Sequence, residues 1–432
     1  MKKKLICLIL AALMVLSIMP SNIFAATDNS SSGAVIYLNK TLSDGVIETT
    51  EELSPVKPVS VTAADTVWGA EGETSWYIAD SSISLAKRPE IKGDVNLILK
   101  NGITLTASSG ITLVNNNSLT VFSQSDDEAV MGQLVAAAAE GNAVFGGLHG
   151  KNSVIDVSPA RSGQAAGALH WKGGALILTN EAGVGIGGGN GGKGGSSLDT
   201  QGFSAGAYGG NGNDVTVYGG IIEINCKEAP CIGGGNGGNG GDTVMSSGQP
   251  GGAGGSAGNV AFLGGIINLQ SGTSVCIGGG NGGKGAFSNG GMSGGSGGRG
   301  GNGGTVIFQS CYLTMKSDLC AIGGGKGGSG GEADVGPCII GTTGRDGATA
   351  NITFGENIIA KAGEDETLAD TISSYNSEKY LCISYSGSQN IESNNSASIF
   401  SNGNLAIIAS LAAAVVIAVI VIIMIKKKRK TA

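Results

Sequence analysis

Histidine is almost missing from this chain. His149 and His170 are the only two among 432 residues, so acid–base chemistry built on imidazole has little to draw on. No Cys-x-x-Cys pair faces a second such pair or a histidine, which removes the spacing of a zinc site. Charged residues make up 14 % of the chain and aromatics 5 %, so neither ionic nor stacking platforms can be extensive. No strand–helix alternation supports a dinucleotide fold. Gly185-Ile186-Gly187 resembles a phosphate loop only loosely, because Lys193 is followed by Gly194 where Ser or Thr is needed. The run from Gly209 to Asp214 copies the start of a calcium-binding nonapeptide once, whereas a calcium roll needs tandem copies. No metal and no cofactor are expected.

What the chain has in abundance is glycine, 79 residues, and it is periodic. Four corners read alike: Val184-Gly185-Ile186 with Gly187 to Asn190, Pro230-Cys231-Ile232 with Gly233 to Asn236, Val275-Cys276-Ile277 with Gly278 to Asn281, and Cys320-Ala321-Ile322 with Gly323 to Lys326. The isoleucines are spaced by 46, 45 and 45 residues, a period that marks a repeat architecture. Before each corner come paired alternating apolar residues, such as Val215 and Val217, then Ile222 and Ile224. Gly-Gly turns separate the pairs at 173–174, 219–220 and 264–265. Alternation is the signature of a strand with one buried face. Three short strands per period predict an all-β right-handed parallel β-helix (β-solenoid), in which Val215 lies over Val260 and Ile224 over Leu269. The rest of each period is a Gly-rich insertion leaving from the same point, so the insertions should stack on one side. Their Gly-Gly-X triplets fit packed extended segments with the three-residue period of polyproline II; the alternative is a flexible Gly/Ser loop.

The ends of the chain carry an address. Lys2 to Lys4, an apolar run from Leu5 to Ile18 and a small-residue site near Ala25 read as a signal peptide, residues 1–25. A polar lead-in covers 26–64. An N-terminal cap and short coils cover 65–166, with Trp68, Trp76 and Tyr77 as capping candidates, and Gly-rich repeats fill 167–350. A C-terminal cap occupies 351–385 and a Ser/Asn linker 386–404. Leu405 to Ile425 is apolar and long enough for one transmembrane helix. The basic residues at 426–432 place that end in the cytoplasm, with the N-terminal part outside. No Leu-Pro-x-Thr-Gly-like motif precedes the helix, so the membrane itself is the expected anchor. The exported part keeps 18 basic against 33 acidic residues, a net charge of −15, which disfavours nucleic acid as a partner.

For a binding role, the insertions offer amides at Asn190, Asn236, Asn239 and Asn281 and an aromatic at Tyr208, the donor types that hold sugars. The structural alternative is that these asparagines serve the backbone of turns. No catalytic residue is indicated: Asp156, Asp199, Asp214, Asp242 and Asp318 share no register in adjacent coils, and a polysaccharide lyase or hydrolase needs clustered carboxylates. Cys231 and Cys276 occupy the same register of adjacent coils. They are either within disulfide range or small buried fillers.

The Ile-Gly-Gly-Gly-x-Gly-Gly corners, the run from Gly93 to Leu99 and that from Asn117 to Val121 resemble Gly-rich repeat surface proteins of Gram-positive bacteria, often described as carbohydrate-binding-like or pectin-lyase-like β-helix proteins. The resemblance spans roughly 65 to 385. It implies a cell-surface β-helix and carries over no catalytic residue. The expected function is a surface adhesin or glycan-binding stalk without catalysis. A polysaccharide-active enzyme and a passive envelope spacer are the alternatives.

Overall fold

The computed structural model describes residues 33–153, 158–196, 204–291, 293–334 and 339–386. It is nearly all β, with large parallel sheets. The expected signal peptide, linker, transmembrane segment and basic tail lie outside these residues. Among the described residues, no helix is long and apolar enough to cross a membrane.

One winding of the chain contributes one strand to each of three parallel ribbons. The first ribbon contains Ser118–Ser123, Ala168–Trp171, Val215–Val217, Asn259–Phe262, Thr305–Phe308 and Asn351–Phe354. The second contains Thr104–Ala107, Gln133–Ala138, Ala175–Asn180, Ile221–Cys226, Ile266–Ser271 and Tyr312–Ser317. The third is a column of two-residue strands: Ile111–Thr112, Phe145–Gly146, Ile186–Gly187, Ile232–Gly233, Ile277–Gly278 and Ile322–Gly323. The register is that of the repeat. Val215 pairs with Val260, Ile224 with Leu269, and the four corner isoleucines form one column.

The alternation decides which face is dry. In Ile221–Cys226, Ile222 and Ile224 point inward with almost no exposure, while Glu223 and Asn225 point out. A single apolar column results, running from Trp68 through Trp171 to Phe308 and Ile383. Phe262, Phe308 and Phe354 stack in successive windings, with centroids 5.7 Å apart in both pairs. The turn between first and second ribbons needs glycine at its second position, because Gly174, Gly220 and Gly265 take φ of +85°, +85° and +94°.

Both ends are closed differently from the middle. Ile358–Gly363 and Tyr380–Tyr385 pair antiparallel, and Tyr380–Tyr385 also runs antiparallel to Tyr312–Ser317, ending the parallel second ribbon. At the other end Trp68 belongs to the core, whereas Trp76 packs outside it with Tyr37 and Phe122. Tyr37 comes from the region read as a lead-in. There Ile36–Ser43 and Val46–Leu53 form an antiparallel hairpin laid along the outside of the first ribbon. Its Lys40 is 6 % exposed and pairs with Asp126. Lys172 donates to Asn39 Oδ1 at 2.6 Å and lies over the rings of Phe122 and Tyr218.

Candidate functional site

The insertions occupy 147–167, 188–214, 234–258, 279–304 and 324–350. Each runs out from the third ribbon and returns to the first. In 188–214, Gly188, Gly191 and Gly194 donate their N–H to the carbonyls of Gly233, Asn236 and Asn239 in the next outgoing leg, at 2.8–3.0 Å. The intervening glycines point elsewhere: Gly189 donates to Gln164 and Gly192 to Arg161, on the preceding return leg. The return leg follows the same rule. Gly206, Gly209 and Gly212 donate to Pro250, Ala253 and Ser256, while Ala207 and Gly210 donate back to Gly192 and Gly189. A donor every third residue is the period of a polyproline-II helix, whose backbone makes no internal hydrogen bonds. Of the two readings of the triplets, the structure has the packed one: two rows of extended legs, cross-linked by backbone.

Glycine is what lets the legs approach. A Cβ on Gly188 would sit 1.9 Å from Gly210 O, and one on Gly189 2.1 Å from Leu148 O. Inside the stack these positions also admit alanine, at Ala207 and Ala286; the larger side chains of the end insertions fall where no leg lies beyond. In the first insertion Leu148 and Lys151 stand where the next has Gly189 and Gly192. In the last, Thr343 and Asp346 replace Gly297 and Gly300, and Asp346 Oδ1 accepts the Gly327 N–H at 2.7 Å. The bundle therefore carries side-chain stops at both ends.

The third residue of each triplet projects from the bundle. On the outgoing legs these residues form columns. Asn190 Oδ1 accepts the Asn236 N–H at 2.9 Å, Asn236 Oδ1 that of Asn281 at 2.8 Å, and Asn281 Oδ1 that of Lys326 at 2.9 Å. The Nδ2 groups of Asn190 and Asn236 donate to the carbonyls of Ala182 and Glu228, both at 2.8 Å. A second column pairs Asn152 Oδ1 with the Lys193 N–H at 2.7 Å and Asn239 Oδ1 with the Lys284 N–H at 2.9 Å. Each asparagine oxygen thus satisfies the one backbone donor per triplet that the glycine lattice leaves over.

The asparagines picked out by sequence fall on this one face. Asn236, Asn239 and Asn281 line a shallow depression of about 400 Å³ together with Lys227, Glu228, Thr273 and Lys284. Asn190 heads the same column one winding earlier, with its Oδ1 on the Asn236 N–H and its Nδ2 on the Ala182 carbonyl. Tyr208 projects from the return row, 64 % exposed, and does not line the depression. Sequence reasoning missed Lys284, although its place one triplet beyond Asn281 puts it in the Asn239 column. It also missed Lys227 and Glu228, which come from the turn between second and third ribbons, where no periodicity marks them.

Among the described residues, the remaining titratable groups form no such assembly. Cys231 and Cys276 are free, fully buried thiols in adjacent windings. Their Sγ–H groups donate to the Gln270 and Lys316 carbonyls, both at 3.1 Å. Burial pushes the Cys231 thiol well up, with Cys226 and Cys276 adding to it. His170 faces outward on the first ribbon and is half-buried; its Nδ1 has no partner among the described residues. Burial, and then the charge of Lys172, hold its pKa below the ordinary value. Among the described residues, no three His, Cys, Asp or Glu side chains are grouped to hold a metal.

No family model matches the chain, and neither the curated proteins nor the solved structures searched contain a match.

Proposed function

We propose that this is an exported, membrane-anchored surface protein: a right-handed parallel β-solenoid, of the kind found in Gly-rich repeat surface proteins of Gram-positive bacteria, acting as a non-catalytic glycan-binding stalk. The transmembrane helix of residues 405–425 holds it to the cell and the solenoid projects outward. The observation that carries the binding role is the depression on the outgoing-leg face. Asn239, Thr273, Lys227, Lys284 and Glu228 converge there over two windings, on backbone locked by hydrogen bonds in every triplet. Such a surface is already ordered before a ligand arrives, which lowers the entropy cost of binding.

A passive spacer is the second reading. It is favoured by the ladder, which engages both the Oδ1 and the Nδ2 of Asn190 and Asn236. A glycan array probed with the full-length protein in detergent separates the two. Selective binding without turnover is expected, and it should be lost on Asn239→Ala with Lys284→Ala. A blank array leaves the spacer.

A further inference from the structure

We infer that the outgoing-leg face takes an anionic polysaccharide of regular repeat, its acid groups held by Lys193, Lys284 and Lys326; this rests on the glycan-binding reading above and narrows it to a charge class. The three lysines share one local design. Each stands directly above an asparagine whose Oδ1 accepts the lysine's own backbone N–H, at 2.7, 2.9 and 2.9 Å. Their backbone positions are therefore fixed by the lattice while the ammonium groups reach into solvent. Lys193 and Lys284 lie in one column two windings apart, about 10 Å at the usual strand spacing. Lys326 lies one winding further and one triplet nearer the root, a lateral step of about 9 Å for three residues at polyproline-II rise.

These cations are available. All three are exposed, and the ion pairs among the described residues involve other lysines, namely Lys40, Lys227 and Lys379. The charge of the chain is also distributed to suit them. Residues 33–146 hold 14 acidic and 6 basic residues, whereas 147–350 hold 11 and 10. Residues 351–386 hold 6 and 2, so the acidic surplus lies at the two ends and the stretch with the insertions is close to neutral. A single small anion could not span three ammonium groups on so open a surface; a linear polymer with an acid group on every unit could touch all three. Nucleic acid fits less well, since its bases call for aromatic stacking platforms and these columns offer only Phe287.

The test uses full-length protein, polygalacturonate as the anionic probe, dextran as the neutral one and duplex DNA as the competing polyanion. Polygalacturonate should bind and weaken steeply as salt rises, while dextran and DNA bind at least about tenfold more weakly. Lys193→Gln with Lys284→Gln and Lys326→Gln should lower polygalacturonate affinity by at least about tenfold at unchanged melting temperature. Arg299→Gln with Arg345→Gln, on the return row, should leave it unchanged. Equal loss in the arginine variant, equal binding of DNA, or no polygalacturonate binding overturns the inference. In the last case, binding of neutral glycans on the array would leave the broader reading standing.

Discussion

The windings and the insertions alternate along one chain, yet they are held together by opposite means. A winding is ordered by what its side chains bury: Phe262, Leu269 and Ile277 have no exposure, and their register follows from packing. An insertion is ordered by having almost no side chains. Its legs approach until a Cβ would lie about 2 Å from a neighbouring carbonyl, and it is held by backbone hydrogen bonds with the asparagine columns beside them. Hydrophobic burial is roughly proportional to area and tolerates a change of shape at modest cost. A backbone lattice has room for little more than a methyl at its contact positions, as at Ala207 and Ala286.

Substitutions at the two kinds of position should therefore fail differently. Phe262→Ala removes the middle of a stacked ring column and should cost about 3–5 kcal/mol, seen as a large drop in the main thermal transition. Gly210→Val places a side chain where even a Cβ would lie 2.0 Å from Gln164 O. It should open the bundle locally by about 2–3 kcal/mol. Amide exchange at Gly189, Gly210 and Gly235 should rise while the main transition barely moves. A shift as large as that of Phe262→Ala would show that windings and insertions unfold as one unit.

Asn236→Ala strands the Asn281 N–H and should cost about 1 kcal/mol, read as faster exchange at Asn281 and not at Gly282. The smallest effect is a pH dependence. His170 is easier to protonate in the unfolded chain than in the folded one, because burial lowers its pKa from 6.5. The stability it contributes is complete above pH 6.5 and is lost as pH falls through the depressed folded value. His170→Gln should flatten that part of the stability profile and leave the insertions untouched.

How much of this was legible in the sequence follows the same division. Apolar alternation fixes which residues face inward, so the pairing of Val215 with Val260 could be read directly. Val144-Phe145-Gly146-Gly147 also reads as a degenerate form of the Ile-Gly-Gly-Gly corner, and Phe145–Gly146 joins the isoleucine column. The hairpin of Ile36–Ser43 and Val46–Leu53 was hidden, because its Glu- and Thr-rich second strand is solvent-exposed and shows no buried stripe. For the candidate face, the asparagine period was visible but its use was ambiguous. The same amide could meet a sugar or the next winding, and only the distances show that Asn190 and Asn236 meet the next winding. Lys227 and Glu228 could not be found at all, since a turn between ribbons has no period to betray it.

The stops at the two ends of the glycine lattice bear on how such a protein changes length. Leu148 and Lys151 belong to the first insertion, Thr343 and Asp346 to the last, and the units between carry neither. Duplicating or deleting one internal unit of about 45 residues would leave both terminators intact and shift the distal end by about 4.8 Å. The length of the stack could thus be adjusted in whole increments by recombination within the gene, without any new solution for closing it.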